Sequence, residues 1–327
     1  MWKRLLFGLA VAGLILFLLF RKVDPAAVWA ALRGANWALL ALGLGCTLTS
    51  LWLKGERWAL ALAAGTGAPR PRKRMFSAMI IGTAGNLLLP ARLGDFAKVL
   101  VLRRHNDLPM TRSLSASWSV QIFDFLAVAL ILLLSGTAVA SPRVLAGVLV
   151  GGLLLLVGMY FSNRHPDWSE RLERALIPAR FLPKVQATLR NARQGLHFLG
   201  HGRTLGSVLA MTAACWLCDS LGAVASLRAF HLEFGLRHAA LLVAAIGLSF
   251  ALPLTPGNVG VYQAICVLVL GSFGVARDRA FAFGLGVQAF GLVGIVLVGL
   301  ALLQREGLQL KALAAERAAG DAPTAGA

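Results

Sequence analysis

Uncharged apolar runs and short basic clusters alternate along the 327 residues of this chain. Leu5–Phe20, Leu126–Ala140 and Val144–Phe161 contain no charged side chain. They approach the roughly 20 residues that a helix rising about 1.5 Å per residue needs to cross a hydrocarbon core. The pattern predicts six spanning helices, at about Leu5–Phe20, Asn36–Ala64, Ser113–Ala140, Pro142–Phe161, Thr204–Phe230 and Ala280–Leu303. Two more apolar segments, Met75–Leu102 and Ala239–Gly274, are each interrupted by Pro and Gly. Between the halves, Ser162–Arg203 is polar, yet Trp168, Leu172, Leu176, Val185, Leu189 and Leu196 recur at helical spacing, which predicts amphipathic helices on a membrane surface.

Composition fits that reading. Hydrophobic residues make up 58% and charged residues 14%, with a mean hydropathy of +0.74. A soluble domain carries about 45–50% apolar and about 25% charged residues. The fold class is therefore an all-α polytopic membrane protein. A net charge of +18 would suggest nucleic acid in a soluble chain. Here the basic residues cluster between apolar runs, as cytoplasmic loops require, and no nucleic-acid partner is expected.

Basic placement sets the predicted topology. Lys3 and Arg4 put the N-terminus in the cytoplasm, and Leu18-Leu19-Phe20-Arg21-Lys22 lacks a small-x-small site, so the first helix is expected to be retained. Arg70, Arg72, Lys73 and Arg74 precede the first interrupted segment, and Arg103, Arg104 and Arg112 follow it. Two halves of about 14 residues are too short to span separately, so the segment is expected to be a re-entrant hairpin dipping in from the cytoplasm. The same threading brings the second interrupted segment in from the outside and leaves the C-terminus cytoplasmic. We expect one membrane domain over residues 1–305, with repeat halves at about 36–140 and 204–304. The linker lies at about 162–203, and a tail at 306–327 is disordered from Ala318.

The two interruptions echo one another. Pro90-Ala91-Arg92-Leu93-Gly94-Asp95 and Pro256-Gly257-Asn258-Val259-Gly260-Val261 each place Pro and Gly four residues apart before a Val/Leu run. Val120-Gln121-Ile122-Phe123 and Val287-Gln288-Ala289-Phe290 follow, and Trp52-Leu53 and Trp216-Leu217 precede. Breaks at corresponding places in two halves point to a transporter-type site built from discontinuous helices. The helix-breaking residues are Pro90, Gly94, Pro256, Gly257 and Gly260.

Charges deep in a bilayer cost at least ~2.5–3.5 kcal/mol each on insertion scales and so need a reason. Arg92, Asp95 and Lys98 flank the first break. Asp95 either caps the following half-helix and pairs with Arg92, or helps present Arg92, Lys98 and backbone donors to a phosphate headgroup. Asn86 stands four residues before the break and either bonds its freed carbonyls or packs between helices. Gln121 and Asp124 share a helix face, and Asp124 is expected to partner Arg92 or Lys98. Glu56 and Arg57 either snorkel toward the cytoplasm or serve the site. Asp219 is a lone intramembrane acid. The second break offers only Asn258, Tyr262 and Gln263. Cys46, Cys215, Cys218 and Cys266 lie in apolar runs and are expected to be small buried hydrophobes, with no metal and no cofactor. No nucleophile–base, zinc-protease or phosphate-loop pattern occurs, so catalysis is not expected.

These residues resemble the lysylphosphatidylglycerol synthase transmembrane-region family, also called flippase-like or UPF0104 proteins. Asn86-Leu87-Leu88-Leu89-Pro90-Ala91-Arg92-Leu93-Gly94-Asp95 is similar to the family's Asn-x-x-x-Pro-x-Arg-x-Gly-Glu. The stretch from Leu252-Pro253 through Pro256-Gly257-Asn258-Val259-Gly260 to Gln263 is similar to its Pro-x-x-Pro-Gly-Gly-x-Gly-x-x-Glu. Arg57-Trp58 and Asp124 match further family positions, and the likeness runs over roughly residues 5–305. Asp95 stands for the usual Glu, Asn258 for a Gly and Gln263 for a second Glu. The aminoacyl-transferring domain of full-length synthases has no counterpart. The resemblance implies a bacterial inner-membrane lipid translocase for a phospholipid, an aminoacylated lipid or a polyprenyl-linked glycan. The rival expectation is a non-transporting subunit that anchors or regulates a lipid- or glycan-modifying transferase.

Overall fold

The computed structural model describes residues 2–21, 23–64, 72–88, 94–106, 110–135, 141–165, 167, 170–171, 174, 182–250 and 255–305. The ordered elements are α1 (Trp2–Phe20), α2 (Pro25–Arg33), α3 (Trp37–Ala63), α4 (Arg72–Leu88), α5 (Gly94–Asn106) and α6 (Met110–Ser135). They continue as α7 (Pro142–Arg164), α8 (Leu182–Gln194), α9 (Gly202–Ala229), α10 (Leu236–Ser249), α11 (Val261–Ser272) and α12 (Arg277–Arg305), with 3₁₀ turns at His197–Gly200 and Pro256–Asn258. No strand occurs among the described residues.

Five helices are long and apolar enough to cross a membrane: α3, α6, α7 from Arg143, α9 and α12. α3, with 27 residues, extends for about 40 Å. Local chemistry starts it, because the Asn36 side chain accepts from the amides of Ala38 and Leu39 at 3.0 and 3.2 Å. Asp24 does the same for α2, accepting from Ala26 N–H at 2.9 Å with Pro25 at the first helical position. The segment predicted over Met75–Leu102 extends further at both ends, so Arg72, Lys73, Arg74 and Arg103 belong to α4 and α5 rather than to flanking loops. Pro90 and Arg92 lie outside the described residues, as do Pro253 and the tail from residue 306.

α3 and α9 pack along one another in opposite senses. Pairs run from Gly43 with Gly222, through Cys46 with Cys218 and Ser50 with Cys215, to Arg57 with Thr212. The Gly43 contact is mutual: a Cβ on Gly43 would lie 3.0 Å from Gly222 O, and one on Gly222 3.1 Å from Gly43 O. Ser50 and Cys215 also reciprocate, each side chain donating to the other's carbonyl, at 3.4 Å for the hydroxyl and 3.8 Å for the thiol.

Two apolar cores flank this crossing. One gathers Val28, Leu40, Leu132, Leu227, Leu242, Leu270, Phe281 and Phe283, and the other Trp58, Met75, Leu102, Val120, Phe123, Phe198, Val208 and Leu303. α3 passes from the first core to the second and α9 from the second to the first. The start of α4 and the end of α5 both sit in the second core, whereas α10 starts and α11 ends in the first. The two helix pairs therefore open toward opposite ends of the bundle. Within the linker, the 3₁₀ turn is packed inside rather than lying on a surface: Phe198 is buried and its ring stands 6.4 Å from Phe123.

Candidate functional site

Between the two cores lies a layer of charge. Arg57, 2% exposed, grips Asp124 with both terminal nitrogens, Nη1 to Oδ1 at 2.8 Å and Nη2 to Oδ2 at 2.6 Å. Nη1 also donates to Thr212 Oγ1 at 2.7 Å, and that hydroxyl donates to Val208 O at 2.8 Å. One turn earlier on α3, Lys54 pairs with Asp219 of α9 at 2.9 Å. The two pairs are near enough for each cation to feel the other pair's carboxylate. The two pairs thus draw two positive and two negative side chains from three long helices. A bidentate guanidinium–carboxylate pair is the arrangement best able to offset desolvation at such depth.

Sequence reasoning expected other partnerships. Asp124 pairs with Arg57 rather than Lys98, because α6 packs against α3 on the face that carries Arg57. Arg57 does not snorkel; its side chain is held inward by two helices. Asp219 is not alone, and its partner Lys54 was missed. Lone opposite charges near the middle of two separate spans are a pairing signal in themselves. Glu56 is buried, and Gln121 is half-buried with Nε2 3.4 Å from Ser117 Oγ.

The first break assembles Asn86, Gly94, Asp95 and Lys98. Asp95 Oδ1 receives Lys98 Nζ at 3.0 Å and Asn86 Nδ2 at 3.3 Å. Lys98 is 5% exposed, and its ammonium stands 5.5 Å from the centre of the Trp58 ring. Gly94 is required by proximity, since a Cβ there would run into Gly82 O and lie 2.8 Å from Asn86 Oδ1. Arg92 lies outside the described residues.

The second break is a turn in the left-handed region, with φ of 59° at Gly257, 60° at Asn258 and 84° at Gly260. Asn258 Nδ2 reaches Ser249 Oγ across the break at 2.5 Å, and Thr255 Oγ1 closes on Val259 O at 2.8 Å. Gln263 is turned inward: its Oε1 accepts from Gly260 N–H at 2.7 Å and its Nε2 donates to Gln288 Oε1 at 2.6 Å. Gln288 in turn donates to Gly257 O at 2.8 Å, which binds α12 to the turn. Tyr262 is half-buried against the first core. Gln288 and Ser249 were not singled out as site residues. The tips of the two helix pairs touch, because a Cβ on Gly257 would stand 2.9 Å from Leu87 O. No cluster of three or more His, Cys, Asp or Glu with metal-holding geometry occurs among the described residues.

Long apolar helices around neutralised internal charges define a multi-pass integral membrane protein. The chain belongs to the lysylphosphatidylglycerol synthase TM region family, whose model matches residues 5–299. It is 25% identical over 308 residues to a UPF0104 membrane protein of Methanothermobacter thermautotrophicus, covering 87% of this chain and 90% of that protein. It is also 24% identical over 301 residues to Glycosyltransferase AglD of Haloferax volcanii, covering 78% of this chain and 47% of that protein. No solved structure matches.

Proposed function

We propose that this protein moves a lipid between leaflets of a bacterial inner membrane, with both termini in the cytoplasm. The observation that carries the reading is the tip-to-tip meeting of α4–α5 and α10–α11, two broken helix pairs that open toward opposite ends of one bundle. In a membrane such pairs act as re-entrant hairpins of an inverted repeat, related about the Ser50–Cys215 crossing. Non-spanning backbone is tolerated at that depth where it is buried in protein or lines a cavity. A headgroup entering from either side would reach the same central layer.

Arg92 and Lys98 would hold the anionic part of the headgroup, with Asp95 and Asn86 ordering that half. Asn258, Tyr262 and Gln263 would shape the opposite wall. Lys54 and Asp219, with side chains 26% and 18% exposed, would offer a charged pair more open than the Arg57–Asp124 clasp. A second reading, an anchoring subunit for a transferase, is favoured by the glycosyltransferase name of one relative, which is about twice the length of the matched region. Purified protein in liposomes decides between them. Transbilayer movement of labelled phospholipids, aminoacylated lipids or polyprenyl-linked sugars is expected, and no movement of any of them would sink the translocase reading.

A further inference from the structure

We propose that the junction of the two breaks binds a compact monovalent cation, held by the side-chain oxygens of Asn258 and Asn86. Neither Asn86 Oδ1 nor Asn258 Oδ1 has a hydrogen-bond partner, although both atoms are buried and Asn258 is 3% exposed. Their orientations follow from their neighbours' chemistry. Ser249 Oγ gives its only proton to Ile246 O at 2.6 Å, so toward Asn258 it can only accept, and the amide nitrogen must face it. Asp95 Oδ1 accepts from Lys98 Nζ at 3.0 Å and lies 3.3 Å from Asn86, so Asn86 likewise presents its nitrogen there. Each carboxamide is left with an oxygen that accepts and receives nothing. A buried acceptor without a donor bears its full desolvation cost, which a cation relieves.

The surroundings suit that charge. Leu87 O meets Gly257, so the residues next to the two orphaned oxygens touch. α4 and α10 end at Leu88 and Ser249, and the carbonyls of a helix's last turn carry partial negative charge. The donors are oxygens only, which selects a hard ion over a transition metal. The nearby carboxylate, Asp95, is offset by Lys98, so a divalent ion would be poorly balanced. A dissolved alkali ion and the ammonium of a lipid headgroup share this chemistry. The site stands whether or not the chain moves lipid.

Melting temperature of the full chain in amine-free phosphatidylglycerol nanodiscs tests it, in sodium, potassium or choline chloride at equal ionic strength. A saturable rise in Na⁺ or K⁺ over choline is expected, roughly 3 °C at tenfold over Kd. It should vanish in Asn258→Gly, which removes the oxygen but tolerates the positive φ, and in Asn86→Ala. It should persist in Ser249→Ala, which breaks the clasp and spares the oxygen. A response that requires added phosphatidylethanolamine assigns the same site to a lipid ammonium. No response in any arm, a shift that survives Asn258→Gly, or one lost equally in Ser249→Ala overturns it.

Discussion

Both oxygens of Asp124 are taken by the guanidinium of Arg57, at 2.8 and 2.6 Å, so α6 is tied to α3 by a fork that buries the Arg57 charge and leaves Asp124 22% exposed. Removing Asp124 strands a guanidinium that is 2% exposed, whereas removing Arg57 leaves a carboxylate that still reaches solvent. Asp124→Ala should destabilise by about 3–5 kcal/mol, and Arg57→Ala by less. Replacing both by apolar residues of similar size should recover much of that loss. Thermal stability followed by size-exclusion of the detergent-solubilised protein reads both effects, and a single variant melting like the parent refutes the clasp.

Lys54 and Asp219 should behave differently, because the Lys54 side chain is 26% exposed where that of Arg57 is 2%. Either alanine variant should cost about 0.5–2 kcal/mol, the range for exposed and intramembrane polar pairs. Transport should fall more than stability, and the reversed pair Lys54→Asp with Asp219→Lys should regain both in part. Equal loss of stability at this pair and at Arg57–Asp124 would remove the distinction drawn between an open and a closed pair. Liposome flip rates and melting curves on the same preparations separate the two effects.

Much of the architecture was legible because the bilayer imposes simple arithmetic on apolar length and basic placement. The predicted second, third, fourth, fifth and sixth spans all overlap observed helices that are long and apolar enough to cross. The partnerships were not legible. Arg57 and Asp124 are 67 residues apart, and Lys54 and Asp219 165 apart. Periodicity gives the face of a helix but not the azimuth of the neighbour that meets it. Asp124 was assigned to the first break because both carry charge, whereas the packing of α6 on α3 decided otherwise. The left-handed turn at Gly257 and Gly260 falls within the second interruption read from the sequence, whereas Pro90 lies outside the described residues. The contacts of Asn86 with Asp95 and of Asn258 with Ser249 could not be seen, since each joins residues nine apart that lie on either side of an interruption.

Close approach of α4 and α5 at Gly94 leaves no room for a methyl group. Gly94→Ala should force the pair apart and lower the folded yield sharply, since the two nearest atoms in the way are backbone. Gly257→Ala should also cost stability, by about 1 kcal/mol or more, from its φ of 59° and the contact with Leu87 O. Gly151→Ala, with nothing within 4 Å of the added atom, serves as the control and should be silent. Fluorescence-detected chromatography of tagged variants ranks the three, and a well-folded Gly94→Ala would contradict the tight pairing.

The proposed re-entrant arrangement of the two helix pairs makes a labelling prediction that the spans alone do not. α4 enters from the end that holds Met75 and Leu102, and α10 from the end that holds Leu242 and Leu270. In a cysteine-free background, Arg74→Cys at the mouth of the first hairpin should label from the cytoplasm and not from outside. Leu236→Cys, 43% exposed at the start of α10, should label from outside. Both hairpin mouths reacting from one side would break the inverted relationship and, with it, the alternating-access reading. An impermeant maleimide applied to intact cells and to inverted vesicles distinguishes these outcomes. Arg74 and Leu236 sit near helix starts, and an unchanged elution profile for each cysteine variant makes a negative labelling result bear on topology and not on folding.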